Sequence, residues 1–162
     1  MSRSEINMSE LADRMRITAK AVERGATNTI RAGAKATVRA LIQTTPVDTG
    51  AAVSNWRVGL NFTPKGIIQP HSPGKKGSTA QANKDAAISA AEKVIDRFTS
   101  RKGEASKRIY IINNSPYINK LNQGYSQQAP SGFVDAAVAA GLRKMKDKGL
   151  MNLQSFSSGG GE

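Results

Sequence analysis

The chain has 162 residues, a length typical of one domain, and it contains no cysteine, which excludes disulfide bonds and thiolate chemistry. Its 24 lysines and arginines outnumber its 12 aspartates and glutamates, and the net charge of +12 favours a polyanion as a neighbour, either nucleic acid or an acidic protein surface. No run of about 18 apolar residues is present and no apolar leader follows Met1, so we expect neither a membrane span nor secretion through a signal peptide.

Residues 9–44 are predicted to form one long helix, because apolar side chains recur there at steps of three, four or seven. Ser9 is the expected N-cap of this helix. Gly25 and Gly33 each weaken a helix by about 1 kcal/mol relative to alanine, which permits a bend. Pro46 ends the helix. Two interpretations stay open: the helix belongs wholly to the core, or part of it packs on a neighbouring subunit.

A turn is predicted at residues 47–50. Asp48 is expected to accept hydrogen bonds from nearby backbone N–H groups and to cap one following helical turn at 51–55. No catalytic partner for this carboxylate is apparent, so we interpret it as structural. Residues 56–62 alternate as a strand does, with Trp56 expected in the core.

Residues 63–82 are rich in proline, glycine and lysine, which predicts a long mobile loop or a hairpin. We expect residues 64–80 to be poorly ordered in the free protein and to become ordered in the assembly. Residues 74–79 lack the spacing and the leading strand of a phosphate-binding loop, so no nucleotide site is expected. His71, the sole histidine, has no carboxylate cluster beside it, so no metal site is expected. Lys75 and Lys76 are candidates for contact with DNA phosphates.

Hydrophobic spacing predicts a helix over residues 80–100, a strand over 108–113 and a last helix over 132–148. Two basic residues followed by a glycine, at 101–103, are expected to end the first of these helices.

One domain is predicted over residues 1–150, followed by a flexible tail at 151–162. Helices on one face of a small antiparallel sheet make the predicted fold class α+β.

Residues 110–134 begin as a strand, break at an Asn-Asn-Ser-Pro turn, and break again before the last helix. This stretch has many hydrogen-bonding groups and no catalytic constellation, so we expect neither an enzyme nor a cofactor. We expect its turn formers and glycines to shape a surface for a partner or a neighbouring subunit; these residues are Asn113, Asn114, Tyr117, Gly124, Pro130 and Gly132.

Several runs resemble the tail-completion, or neck, proteins of long-tailed bacteriophages. In the second half of the chain they are NNSPY at 113–117, LNQGYS at 121–126 and QAPSGFV at 128–134. Upstream, TPVDTGA at 45–51 followed by Trp56 is similar to the family's other hallmark. The resemblance covers roughly residues 44–140 and departs from the family at Asn122, where many members carry an acidic residue.

The resemblance implies a structural virion protein at the head–tail interface, assembled in the host cytoplasm. It implies a hexameric ring around the DNA channel, between head–tail connector proteins and a tail terminator or tail tube. Asp48, Gly50 and Phe133 belong to the matching motifs and are expected to take part in the partner surface. The alternative is a small basic protein that binds nucleic acid without sequence preference, which the net charge favours.

Overall fold

A computed structural model describes residues 25–100, 103 and 108–148 of the chain. Five helices and two strands lie in these ranges, and the predicted α+β class is confirmed. The elements, in chain order, are α1 (Ala26–Thr44), α2 (Ala51–Ser54), β1 (Trp56–Leu60), α3 (Ala80–Ile95), β2 (Ile109–Asn113), α4 (Ile118–Asn122) and α5 (Phe133–Asp147).

The two strands pair antiparallel, with Trp56 opposite Asn113 at one end and Leu60 opposite Ile109 at the other. Because side chains alternate along a strand, Trp56 and Val58 point to one face of the sheet and Arg57 to the other. The first face meets the helices, and Trp56 is among the largest fully buried side chains there. The sheet and helix predictions for residues 51–62 and 108–113 are therefore confirmed to within two residues.

Helices α1 and α5 cross closely, because glycine stands at the contact on both sides. A Cβ on Gly141 would collide with Thr37 Oγ1 and would lie 2.9 Å from the Gly33 carbonyl oxygen. A Cβ on Gly33 would in turn meet the Met145 side chain. Glycine within a helix lowers the stability of that helix. At this contact it allows two buried helix faces to pack closely, which offsets that loss.

The prediction of one continuous helix over residues 9–44 is wrong at Gly25. That residue adopts φ 80°, a left-handed conformation, and precedes the first turn of α1 as its N-cap. A helix cannot continue through a left-handed residue, so α1 begins at Ala26. Residues 9–24, including the expected cap Ser9, lie outside the described residues.

Helix α3 ends at Ile95, earlier than the predicted boundary near residue 100. The chain turns there, with the Phe98 N–H donating to the Ile95 carbonyl at 2.9 Å, and this turn buries the Phe98 ring in the core. The free energy gained by burying the Phe98 ring exceeds what a further turn of helix through polar residues would contribute. The glycine at 103 therefore does not end this helix. The predicted tail at 151–162 lies outside the described residues.

Candidate functional site

The two motifs that lie far apart in the sequence meet in the fold. Asn113 donates from its side-chain amide at 2.8 Å to the carbonyl of Ala52, the residue that directly follows the upstream run 45–51. The Val47 N–H donates to Gln128 Oε1 at 3.3 Å. Within the upstream motif, Trp56 Nε1 donates to Thr45 Oγ1 at 2.7 Å, in the buried interior. The residues that carry the resemblance therefore hold one another in place.

Asp48 binds a distant loop instead of the local backbone, so its predicted role as a cap of the following turn is wrong. Its carboxylate accepts from the Lys76 N–H at 2.9 Å, and its carbonyl accepts from the Gly77 N–H at 2.9 Å. The residue that precedes α2 is Gly50, at φ 88°, which has no side chain to cap with. Thr49 Oγ1 accepts the Ala51 N–H at 3.3 Å in place of the predicted aspartate.

Asn83, fully buried at the first turns of α3, fastens the segment that follows Pro70. Its Oδ1 accepts from the Ser72 N–H at 2.8 Å and from Ser54 Oγ at 3.1 Å. Its Nδ2 donates to the Ser72 carbonyl at 2.7 Å. Gly50 is needed beside it, because a Cβ there would collide with the Asn83 amide. The glycine of the upstream motif thus makes room for the buried asparagine.

Asn55 repeats this arrangement four residues earlier in the loop. Its Oδ1 accepts from the Ile68 N–H at 2.8 Å and its Nδ2 donates to the Ile68 carbonyl at 3.0 Å. Both asparagines are almost completely buried, at 1% exposure or less. A side-chain amide presents a donor and an acceptor side by side, so it can replace the partner strand of a segment that has none.

Two further contacts hold the start of the loop. Asn114 Nδ2 donates to the carbonyls of Pro64 and Gly66, at 3.0 and 3.1 Å. Arg57 Nη1 donates to the Lys65 carbonyl at 3.0 Å. Residues 61–79 carry no regular secondary structure, yet hydrogen bonds fasten them along most of their length. The mobility predicted for residues 63–82 stays a prediction, and these contacts argue against it.

Asn122 performs the cap that α5 itself lacks. Its Oδ1 accepts from the Val134 N–H at 3.1 Å, and its carbonyl accepts from the Gly132 N–H at 2.7 Å. Gly132 and Gly124 both adopt left-handed conformations, at φ 75° and φ 91°. Glycine adopts a positive φ without the steric cost that other residues have, which explains why glycine stands at both positions of the signature stretch.

The signature residues divide into internal and exposed groups. Asn113 and Phe133 are 0% and 1% exposed, so they serve packing rather than a surface. Pro130 is exposed. Tyr117 and Tyr125 are 65% and 76% exposed, which makes them the large apolar side chains that this stretch offers to a partner.

Sequence reasoning missed Asn55, Asn83 and two exposed apolar residues of the loop, Phe62 and Ile67. A signal existed for Asn83. Asparagine is a poor former of helix interiors, and it stands within a predicted helix on the same side as Ala87 and Ala91. No such signal exists for Ile67, because a single apolar residue in a loop is as often buried as exposed. Phe62 falls within the predicted strand 56–62, but the strand ends at Leu60.

The charges that pair in the described part of the chain tie helices together. Lys35 Nζ lies 2.6 Å from Asp96 Oδ1, and Arg39 bonds Glu92, so the two bridges link α1 with the last turn of α3 and with the residue that follows it. The hydrogen bond to Glu92 raises the pKa of Arg39 above its ordinary value. Lys75 and Lys76 are exposed on a turn and form no ion pair with any described residue.

Within the described ranges, no three His, Cys, Asp or Glu side chains come together as a metal site would require. None of the helices there is both long and apolar enough to cross a membrane. Comparison of the chain with protein-family models, with curated proteins and with solved structures found no match.

Proposed function

We propose that the chain is a structural virion protein of a long-tailed bacteriophage. It forms a homo-oligomeric ring at the head–tail interface, where it completes or joins the tail around the DNA channel. Its neighbours are connector proteins on one side and a tail terminator or tail tube on the other. The sequence resemblance over residues 44–140 supports the ring, its hexameric symmetry and its place in the virion.

One structural observation carries the proposal furthest. The polar residues of both motifs are used to hold loops against the body of the domain, as Asp48, Asn113 and Asn122 do. What the signature stretch leaves on the outside is a pair of tyrosines, Tyr117 and Tyr125. Residues that fix a backbone and expose aromatic side chains favour a contact surface over a catalytic site.

Native mass spectrometry tests the ring, with the chain alone and with purified connector and tail tube of the phage that carries it. We expect a defined oligomer for the wild type. The variant Tyr117→Ser/Tyr125→Ser should give monomers with an unchanged circular dichroism spectrum, because exposed aromatics anchor interfaces without supporting the fold. Gln127→Ala, an exposed change in the same stretch, is the matched control and should keep the oligomer. A wild type that stays monomeric with both partners present would overturn the proposal.

A second candidate, a sequence-independent nucleic-acid-binding protein, is favoured by the net charge of +12. Exposed basic residues occur on the turn at Lys75 and Lys76 and along the last turns of α5, at Arg143, Lys144, Lys146 and Lys148. A ring through which a genome passes also needs weak phosphate contact, so the strength and selectivity of binding separate the two candidates.

A salt titration of DNA binding on two unrelated duplexes makes this distinction. For the ring protein we expect weak binding that is equal for both duplexes. Lys75→Gln/Lys76→Gln should reduce the slope of log affinity against log salt by at most about two, because each phosphate contact contributes about 0.9. Tight binding by the isolated monomer, or strong preference for one duplex, would favour the second candidate.

A further inference from the structure

A cleft of about 590 Å³ opens on the face of the sheet that points away from the helices. Arg57 and Tyr110 line its floor, and Phe62 and Lys65 line the side formed by the loop. The register places Arg57 and Tyr110 on this outer face, since both alternate with core residues along their strands. None of the motif matches described above includes these four residues.

The sequence builds the cleft by folding the chain back after β1. Asn61 adopts φ 65°, a conformation that asparagine tolerates better than most residues, and turns the chain over the sheet. Gly59 allows the close approach that follows: a Cβ there would collide with the Phe62 carbonyl and would lie 2.9 Å from Pro64 Cδ. Arg57 Nη1 then donates a hydrogen bond to the Lys65 carbonyl in the loop that returns over the sheet. This bond fixes the position of the loop relative to β1.

The chemistry of the cleft is cationic and aromatic. Arg57 and Lys65 supply two positive charges, and neither forms an ion pair with a described residue. Among the described residues that line the cleft, none is acidic. Phe62, 62% exposed, and the Tyr110 ring supply apolar surface beside the charges. Such a site suits an anionic group with an apolar group next to it.

We propose that this cleft binds a short acidic segment of a partner protein, with a carboxylate on Arg57 and Lys65 and an apolar side chain against Phe62 and Tyr110. The occupant has to supply negative charge to this cleft, which favours an acidic segment of another protein over a second copy of a chain with 24 basic and only 12 acidic residues. Nucleic acid fits less well, since a strand needs a basic track along several phosphates. The other exposed lysines, Lys75 and Lys76 among them, do not line the cleft. The inference holds whether or not the chain forms a ring.

The test follows backbone amide shifts of the ¹⁵N-labelled full chain by NMR. The probe is a hexapeptide that alternates glutamate and phenylalanine, acetylated and amidated at its ends. A serine–phenylalanine hexapeptide and an oligothymidylate serve as comparison probes. We expect the glutamate peptide to shift the amides of Arg57, Phe62, Lys65 and Tyr110, and the serine peptide to bind about tenfold more weakly or not at all.

Two double variants distinguish binding in the cleft from nonspecific attraction to the positive charge of the whole protein. Arg57→Gln/Lys65→Gln should weaken binding of the glutamate peptide about tenfold, whereas Lys75→Gln/Lys76→Gln removes the same two charges elsewhere and should change it less than about twofold. Lys65→Glu alone should abolish binding without touching the bond that Arg57 makes to the loop backbone. Equal weakening by both double variants, shifts away from the cleft, or tighter binding of the oligothymidylate at these amides would each overturn the proposal.

Discussion

The side-chain amide of Asn83 pairs with the backbone of Ser72 through two hydrogen bonds, one accepted at 2.8 Å and one donated at 2.7 Å. The two residues are separated by the turn that leads into α3. This pair fastens an irregular segment to the body of the domain, and Asn55 fastens Ile68 in the same manner. Loops that could otherwise move are thereby given one shape, which is what a surface for assembly requires.

Asn83→Ala should lower the free energy of unfolding by about 3 kcal/mol, because it leaves the Ser72 N–H and the Ser54 hydroxyl without the acceptor that they donate to. The Ser72 carbonyl loses the Asn83 donor and keeps the bond from Thr79 Oγ1. Urea denaturation followed by circular dichroism measures the loss. Gln127→Ala, an exposed change, should stay within about 0.5 kcal/mol of the wild type. A loss of stability for Asn83→Ala no larger than that of the control would contradict a stabilising role of the bonds between Asn83 and Ser72.

Asn122→Ala should lower the free energy of unfolding by about 1 kcal/mol, since the Val134 N–H at the start of α5 loses its acceptor. Asn122→Asp keeps the acceptor and places a negative charge at the positive end of the helix dipole. It should leave stability unchanged or raise it by roughly 0.3–1 kcal/mol. An aspartate variant as unstable as the alanine variant would rule out capping. This role suits asparagine and aspartate alike, because both side chains offer an acceptor oxygen to the Val134 N–H.

Gly124→Ala should destabilise the fold more than Gly132→Ala does. Both glycines have positive φ, which costs alanine about 1–2 kcal/mol. A Cβ on Gly124 would also approach the Ser131 Cβ to 3.2 Å, whereas one on Gly132 would meet no atom within 4 Å. Thermal unfolding of the two variants gives the comparison.

Gly124→Val should block incorporation of the protein into phage particles, because valine does not adopt the positive φ of this position. Normal infectious particles that contain the variant would contradict a shape-determining role of Gly124.

Hydrogen exchange decides whether residues 63–82 move. The amides of Ile68, Ser72 and Gly77 donate to Asn55, Asn83 and Asp48, so we expect them to exchange slowly in the isolated chain. The amides of Gln69 and Gly74 provide a control in the same segment. They have no acceptor within the described part of the chain and should exchange fast. Uniformly fast exchange would establish the mobile loop that composition predicts.

Most helices and strands could be predicted from the sequence, because the spacing of apolar residues and the positions of turn formers are set within a few residues of one another. The alternation at 56–62 and the β-branched run at 108–113 both became strands, and they pair with each other. The proline and glycine content of the segment correctly excluded regular structure over residues 63–79, and helix α3 begins at Ala80. Composition could not show what holds that segment, since Asn83 and its partner Ser54 stand 29 positions apart.

The predicted surface residues were only partly separable from the interior by sequence. Asn113 and Tyr117 look equally suited to a partner, yet the first is fully buried and the second is exposed. The difference arises from the carbonyl of Ala52, which lies where the Asn113 amide can donate to it. The position of this carbonyl depends on where the fold places α2, 61 residues away in the chain, and nothing local in the sequence encodes it. The cleft above the sheet depends in the same way on Gly59 and Asn61 acting together.

The most direct measurement of the central claim is an electron microscopy image of purified phage particles in which this protein is labelled. A gold-binding tag at the C-terminus of the full chain marks its position. The ring proposal predicts label at the neck, between head and tail, in every complete particle. Label along the tail tube or inside the head, or its absence from complete particles, would contradict it.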